Sequence, residues 1–383
     1  PSTCRAIAAA ATCSLSSAVE RRPTTPRNVA NCCSTEWRPT APHVSARATC
    51  SRCSCLFRRR CRRQRRVEKF FDELTEKPEG GGRLRALHED DELAIVFKPP
   101  GVHSTTWAGT RKKWGDLTLC DALPLLLTAP PRPAATSEGS VTSSAALPAP
   151  LPAHRLDARV GGVIAVAKTR HALAGLSKLF KERHVEKLYR AIVVGEVCLE
   201  QIAASPCSRS DEGVLGHGHL TCTLLEAAEC AGDPQVLRVE QVEDGKLSVT
   251  TVRVVEVTPC SVHGALTTLD LWPTSGRRHQ LRIACALGIG APIVGDDLYH
   301  AKANAVRAAR MAPNDRLLPP LPPVRRRAGL FLQALQISLP HPTTGEPLTV
   351  RAPEMARFEK LRTRAASGAG FSADEWEAWR AEG

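Results

Sequence analysis

Two polar segments, each beside an apolar run, carry the side chains best suited to chemistry. The first contains Arg155 and Asp157 and precedes the run 163–167, and the second extends over 275–283 and contains Arg282. A carboxylate beside an apolar core is costly to desolvate unless a cation pairs with it, and a guanidinium matches its geometry. Arg155 and Arg282 are both candidate partners for Asp157. On spacing alone, an Asp–Arg pair is more often a salt bridge that stabilises the fold than part of a catalytic site.

Apolar and β-branched runs predict the strands that must position these segments. We expect strands over 93–97, 163–167, 188–197, 247–257, 265–272 and 330–339. One helix is expected up to about Arg183, because Leu173, Leu176 and Phe180 recur at helical spacing. Many strands with few helices predict an α+β fold with an extended, largely antiparallel sheet and flanking helices.

Segments rich in Pro, Ala, Ser or scattered Gly interrupt this pattern and predict three inserted loops. The predicted loops cover residues 129–152, 201–235 and 303–327. The main domain is expected over 85–362, with a linker over 67–84 before it and a C-terminal tail over 363–383.

Residues 1–66 differ from the rest of the chain in charge. They hold fourteen Arg, no Lys and two Glu, so they account for +12 of the net charge of +13. This composition resembles an organelle transit peptide and predicts a disordered leader, which favours a plastid or mitochondrion. The basic run 58–66 would also suit a nuclear signal or an RNA-binding arm, so the nucleus and cytoplasm stay open.

Several classes of site and partner are not expected. Cys50, Cys53 and Cys55 are followed only by Cys61, whereas a structural zinc site needs a second ligand pair at regular spacing. No apolar run approaches the roughly 20 residues that span a bilayer. No dinucleotide-binding, P-loop or zinc-protease motif is present. We therefore expect no metal, no nucleotide cofactor and no membrane partner.

Five blocks, in order along the chain, resemble the RluA-type pseudouridine synthase family. They are ELAIVFKPPGVHS at 92–104, HRLDARVGGVIAVAKT at 154–169, KLYRAIVVGEV at 187–197, SGRRHQLRIACALGIGAPIVGDDLY at 275–299 and HPTTGEPLTVRAP at 341–353. The resemblance covers about 85–362 and implies a pseudouridine synthase catalytic domain, an isomerase that converts uridine to pseudouridine in ribosomal, transfer or messenger RNA. Such a reaction needs no cofactor. RNA is the expected partner, and we expect a monomer.

The resemblance also implies roles for individual residues. Asp157 corresponds to the catalytic aspartate, Tyr189 to the tyrosine that packs on the target base, and Arg282 to the basic residue that pairs with the aspartate. Detaching uracil builds positive charge on the ribose, which a carboxylate can stabilise or trap. Whether Asp157 attacks the sugar, attacks the base or removes a ribose proton stays open, and all three routes need it ionised.

A second group of residues is expected to bind substrate. Arg155 resembles the arginine that displaces the target uridine from its stack, and the others belong to the blocks that shape the pocket. These others are His154, His279 and Gln280.

The chain also departs from the family pattern. Val160 and Gly161 stand where the family usually has Thr-Ser, and Arg278 stands where it usually has Thr. No S4-type RNA-binding module precedes the domain. The lost hydroxyls favour a rival prediction, a non-catalytic RNA-binding protein that keeps the fold. A third prediction is that the Arg-rich and Cys-rich leader is the functional part of the protein and binds a metal or a nucleic acid.

Overall fold

The structure, a computed structural model, describes most of the chain from residue 55 onward. The described ranges are 55–76, 82–105, 117–131, 146–198, 209–212, 219–226, 236–243, 246–261, 263–303 and 329–368. Almost all of the predicted leader, most of the predicted loop 303–327 and the last part of the predicted tail therefore lie outside the described residues.

The described residues include twelve strands, five α-helices and one π-helical segment, and residues 300–303 are also helical. The strands are β1 Arg85–Glu89, β2 Leu93–Lys98, β3 Ala146–Pro152, β4 Gly161–Thr169, β5 Glu186–Val194, β6 Arg209–Glu212, β7 His219–Glu226, β8 Val236–Glu243, β9 Lys246–Cys260, β10 Gly264–Pro273, β11 Leu332–Pro340 and β12 Pro347–Arg351. The helices are α1 Cys55–Thr75, α2 Leu119–Leu126, α3 Arg170–Lys181, α4 Gln280–Ile283 with its π-helical continuation Ala284–Ile289, and α5 Ala356–Ala366. In this part of the chain, no helix is long and apolar enough to cross a membrane.

All twelve strands join one sheet. Its order is β1-β2-β4-β11-β5-β10-β9-β8-β7-β6, with β12 added to β11 and β3 to β4. The pairing of β4 with β11 is parallel, and the other pairings are antiparallel. The predicted α+β fold with a large, largely antiparallel sheet and flanking helices is confirmed.

The central strands position the two polar segments. Every residue of β4 is buried, which explains why its sequence is a continuous apolar run without alternation. Asp157 directly precedes β4. On β5, Tyr189 stands opposite Ala334 of β11 and Leu271 of β10. The short helix α4 follows β10 and carries Arg282. The candidate site therefore lies at the middle of the sheet.

Helix α1 differs from the predicted disordered leader and linker. Its second half is amphipathic: Phe70 and Leu74 are buried, and Val67 and Phe71 pack against the same core. These residues follow the 3.6-residue period of a helix. The run of arginines before them obscured that short pattern in the sequence.

Two predicted loops also contain strands, so both predictions were wrong in part. Strand β3 ends the predicted loop 129–152 and tolerates its three prolines because it pairs with β4 alone, in an irregular register. Strands β6 and β7 lie inside the predicted loop 201–235 and extend the sheet through β8. Scattered Gly, Pro and Cys around them concealed these short strands.

The close approach of β4 to β11 depends on Gly162. Its φ of 128° is one that side chains rarely adopt, and a Cβ there would lie 2.1 Å from the carbonyl oxygen of Ala334. The glycine therefore allows the parallel pairing that begins four residues after Asp157.

We expect Gly162→Ala to lower the free energy of unfolding by at least about 2 kcal/mol, since backbone strain and a backbone clash add together. Urea unfolding followed by circular dichroism measures the change. Gly264→Ala is the matched control, because Gly264 has a φ of 76° but open space around its Cβ position. Equal losses in the two variants would contradict the account.

Candidate functional site

Two adjoining cavities meet at Asp157. The smaller has a volume of about 160 Å³ and is bordered by Tyr189, and the larger has a volume of about 450 Å³ and is bordered by His103. Arg155 and Arg282 line both. The larger volume lies in the range of roughly 300–1,000 Å³ that is typical of ligand sites.

Backbone hydrogen bonds hold the turn that carries Asp157. Val160 N–H donates to the carbonyl of Asp157 at 3.0 Å, and Gly101 N–H donates to that of Ala158 at 2.6 Å. The Ser104 hydroxyl donates to the carbonyl of Leu156 and accepts from its N–H, both at 3.0 Å. These bonds aim the carboxylate of Asp157, whose side chain stays 32% exposed, at the cavities.

Arg282 faces two carboxylates at different distances. One of its nitrogens lies 3.9 Å from a carboxylate oxygen of Asp157. Two others donate to Asp296, each at 2.7 Å, in a bidentate pair that is almost fully buried. Burial works against the charge of Arg282, but the bonds to Asp296 outweigh it and raise the pKa of Arg282 above its ordinary value.

Asp296 is the residue that sequence reasoning missed. It occurs in the block 275–299, but no role was predicted for it. The sheet fixes its place, since Val294 N–H donates to the carbonyl of Ile192 and Phe331 N–H to that of Val294. The carboxylate of Asp296 also accepts the backbone N–H of Leu298 at 3.1 Å. The available signal in the sequence was that Asp296 is an acidic residue in the same block as Arg282, the predicted basic partner of Asp157.

Tyr189 lies on the wall of the smaller cavity, as a residue that packs on a base would require. Burial raises the pKa of its phenol, and the negative charge of Asp157 raises that pKa further. The phenol is therefore neutral near pH 7. Its ring offers the cavity a flat apolar face.

His279 approaches Asp157 from the side of Arg282. Its Nε2 lies 3.9 Å from the carboxylate of Asp157, and its Nδ1 lies 3.0 Å from the hydroxyl of the buried Tyr299. Its φ of 55° turns the chain sharply into α4. Burial and the charge of Arg282 lower the pKa of His279, which favours a neutral ring.

The side chain of Gln280 holds the loop before α4. Its amide nitrogen donates to the carbonyl of Val249 at 3.0 Å, and its amide oxygen accepts from the Ser275 hydroxyl at 2.8 Å and the Arg277 N–H at 3.2 Å. Gln280 also lines the smaller cavity, so its contact with substrate stays a prediction beside this positioning role.

The contact of His154 with substrate stays a prediction, and the residue lines neither cavity at Asp157. Its Nε2 accepts the backbone N–H of Ala165 at 3.0 Å, and its ring centroid lies 4.7 Å from that of Phe180. Burial lowers the pKa of His154 to about 3, so the ring is neutral. Its neighbour Arg155 is exposed and lines both cavities.

Lys98 is a second cation near Asp157 and was not predicted. It is fully buried, and its ammonium donates to the carbonyls of Pro99, Val102 and Ala158 at 3.1, 2.8 and 3.4 Å. Burial lowers the pKa of Lys98 to about 7, while the charge of Asp157 opposes that shift. Lys98 thus ties the turn after β2 to the turn that carries Asp157.

The site contains no apparent place for a resident metal. Among the described residues, no group of three or more His, Cys, Asp or Glu side chains is arranged to hold a metal ion.

A model of the family described as RNA pseudouridylate synthase matches residues 92–287, about half of the chain. The match includes Asp157, Tyr189 and Arg282. The chain belongs to the RNA pseudouridylate synthase family. The sequence prediction of an RluA-type RNA pseudouridine synthase, an isomerase of uridine in RNA, is therefore confirmed.

Individual relatives within this pseudouridine synthase family match most of the domain. Ribosomal large subunit pseudouridine synthase D of Xanthomonas campestris is 29% identical over 278 residues, or 73% of this chain and 68% of the relative. An RNA pseudouridine synthase of Synechocystis is 30% identical over 279 residues, with the same coverages. The mitochondrial pseudouridylate synthase RPUSD4 of Rattus norvegicus is 28% identical over 215 residues, or 56% of this chain and 51% of the relative. This chain thus spans about half the length of the rat protein.

In this pseudouridine synthase, Asp296→Asn is expected to lower the free energy of unfolding by about 3 kcal/mol, because it leaves the buried guanidinium of Arg282 without a carboxylate. Chemical denaturation measures the loss. Asp297→Asn is the matched control: Asp297 pairs with Arg159 at a partly exposed site, so its loss should be about 1 kcal/mol or less. Equal losses at the two positions would show that the buried pair is not special.

Lys98 makes the stability of this pseudouridine synthase depend on pH. Its folded pKa of about 7 lies below the ordinary 10.5, so the unfolded chain binds more protons between these values. The cost of burying charged Lys98 therefore lowers the free energy of unfolding by its full amount below pH 7. This cost becomes smaller as the pH rises.

Between pH 7 and pH 9, wild type should gain stability relative to Lys98→Met by up to about 1.4 kcal/mol per pH unit. Urea unfolding at several pH values measures both proteins. The comparison uses the slopes, because the variant also loses three hydrogen bonds. Parallel curves would mean that Lys98 keeps its charge in the folded protein.

Proposed function

We propose that Asp157 is the catalytic carboxylate of this pseudouridine synthase, and that Tyr189, Arg282 and Arg155 act with it on the target uridine. One observation carries the proposal. The carboxylate of Asp157 lies 3.9 Å from both Arg282 and His279, at the junction of two cavities; Arg155 borders both and Tyr189 borders the smaller.

The reaction breaks the bond between uracil N1 and ribose C1′, turns the base and joins its C5 to C1′. The C5 proton is lost to water and N1 gains a proton, so no redox change occurs. Bond breaking leaves positive charge on the ribose. The carboxylate of Asp157 stabilises that charge, attacks the sugar or the base, or removes a ribose proton, and each route uses its ionised form.

Two cations support an ionised Asp157. Arg282 is fixed by its bidentate pair with Asp296, so its remaining nitrogen points to Asp157 without reorganisation during the reaction. Lys98 interacts with Asp157 from the interior side of the turn. Their combined charge offsets the cost of keeping a carboxylate beside a core.

Tyr189 and Arg155 handle the base. A uridine must leave its stack to reach Asp157, which costs a few kcal/mol, and an aromatic ring recovers part of that cost by stacking. The neutral ring of Tyr189 on the cavity wall suits this contact. Arg155 is exposed at the entrance of both cavities and can take the place of the displaced base.

We assign the target to ribosomal RNA and the compartment to the mitochondrion. Relatives from Xanthomonas and Vibrio are named as ribosomal large subunit enzymes, and the relative from rat is named as mitochondrial. The Arg-rich, acid-poor composition of 1–66 also suits a mitochondrial leader.

Tritium release tests the assignment of Asp157. Total RNA labelled at uracil C5 releases tritium to water when pseudouridine forms. Wild type is expected to release label without added metal or nucleotide. Asp157→Asn should bind the RNA with unchanged affinity and release none, because the neutral amide cannot serve as the carboxylate.

Asp297→Asn is the control for removing a neighbouring carboxylate, and it is expected to retain release. Release by Asp157→Asn at the wild-type rate would overturn the role of Asp157. Binding without release by wild type would favour the non-catalytic RNA-binding alternative. Mapping the modified uridine to a transfer or messenger RNA would overturn the assignment to ribosomal RNA.

A further inference from the structure

The basic half of α1 has no role in the site described above. The sequence places seven Arg and no acidic residue between 58 and 66, within this helix. The side chains of 61–66 are exposed. Residues after 66 carry a net charge of only about +1. The described part of the chain therefore has its densest positive charge on this helix.

Helix α1 is fixed to the domain by its second half. Phe70 and Leu74 are fully or almost fully buried in the main core, and the carbonyl of Leu74 accepts the N–H of Leu84 at 2.9 Å. The basic half extends from this anchored half in the same helix. Arg62, Arg63, Arg65 and Arg66 are therefore exposed on a helix that is anchored to the domain.

A chain of bonds joins the basic half to the larger cavity. Arg63 donates to the carboxylate of Asp121 at 3.1 Å, and that carboxylate accepts the N–H of Thr118 at the start of α2. The next residue, Leu119, donates its N–H to the carbonyl of His103 at 2.9 Å. His103 lines the larger cavity, so these bonds connect the basic helix to one wall of the cleft.

We propose that the basic face of α1 binds phosphates of the RNA strand that leaves the cleft past His103. The proposal rests on the proposed function, because it takes RNA as the occupant of the cleft. In the described part of the chain, Arg62 and Arg65 have no acidic partner, and they lie three residues apart on one helix face. A row of phosphates supplies repeated negative charge, relieves repulsion among neighbouring arginines and needs no base recognition.

The salt dependence of RNA affinity tests this proposal. Fluorescein-labelled oligouridylates of about 30 and about 8 nucleotides serve as probes. The readout is the slope of log affinity against log salt concentration, because each phosphate contact on a single strand contributes about 0.7 to it. Arg62→Gln/Arg65→Gln should lower the slope for the long probe by about 1.4 and leave that for the short probe unchanged. Arg62→Lys/Arg65→Lys should keep the wild-type slope, because it retains the charge.

Lys178→Gln/Lys181→Gln is the matched control, because it removes two exposed charges from α3, which packs on β3 and β4. It is expected to bind both probes with wild-type slopes. A wild-type slope for the Arg62→Gln/Arg65→Gln protein would overturn the proposal, and so would an equal loss in the α3 control. Tritium release by wild type is measured separately, so failure of this interface is distinguishable from failure of the proposed function.

Discussion

The site depends on one buried ion pair. Arg282 is 7% exposed and Asp296 is fully buried, so neither charge is tolerable without the other. Their bidentate geometry leaves the third guanidinium nitrogen facing Asp157. Because Asp296 already neutralises Arg282, the buried guanidinium does not need Asp157 as a second counter-charge. The carboxylate of Asp157 can therefore stay partly exposed and face the cleft. The buried pair with Asp296 and the contact with the proposed catalytic carboxylate of Asp157 thus share a single arginine.

The rest of the fold holds that arrangement from two sides. Arg282 reaches the site on a four-residue helix after β10, and Asp296 is fixed by the backbone bonds of Val294 to β5 and β11. Asp157 reaches it on the turn before β4, whose close contact with β11 requires Gly162. Lys98 joins that turn to the end of β2. A family resemblance places Asp157, but these packing constraints explain its surroundings.

Patterns of sequence predicted the elements with long apolar runs, because such runs require burial. Every strand predicted in this way is present. Four of them, β4, β5, β10 and β11, form the centre of the sheet. The proline-rich strand β3, the four-residue strand β6 and strand β7 depend on pairing with a neighbour and left little signal of their own. The sequence also does not reveal that His154, a polar side chain in the motif, accepts a backbone N–H of β4. Asp296 and Lys98 were missed because the sequence does not show which charged groups the fold brings together, as it does Asp296 with Arg282 and Lys98 with Asp157.

A double-mutant cycle in the rate of tritium release tests most directly whether Asp296 acts through Arg282. If the two residues form one unit that supports Asp157, Asp296→Asn and Arg282→Met should each slow release by a similar factor. The double variant should then be no slower than either single variant. Independent factors that multiply in the double variant would contradict the account, since Asp296 would then affect the reaction by a route other than Arg282.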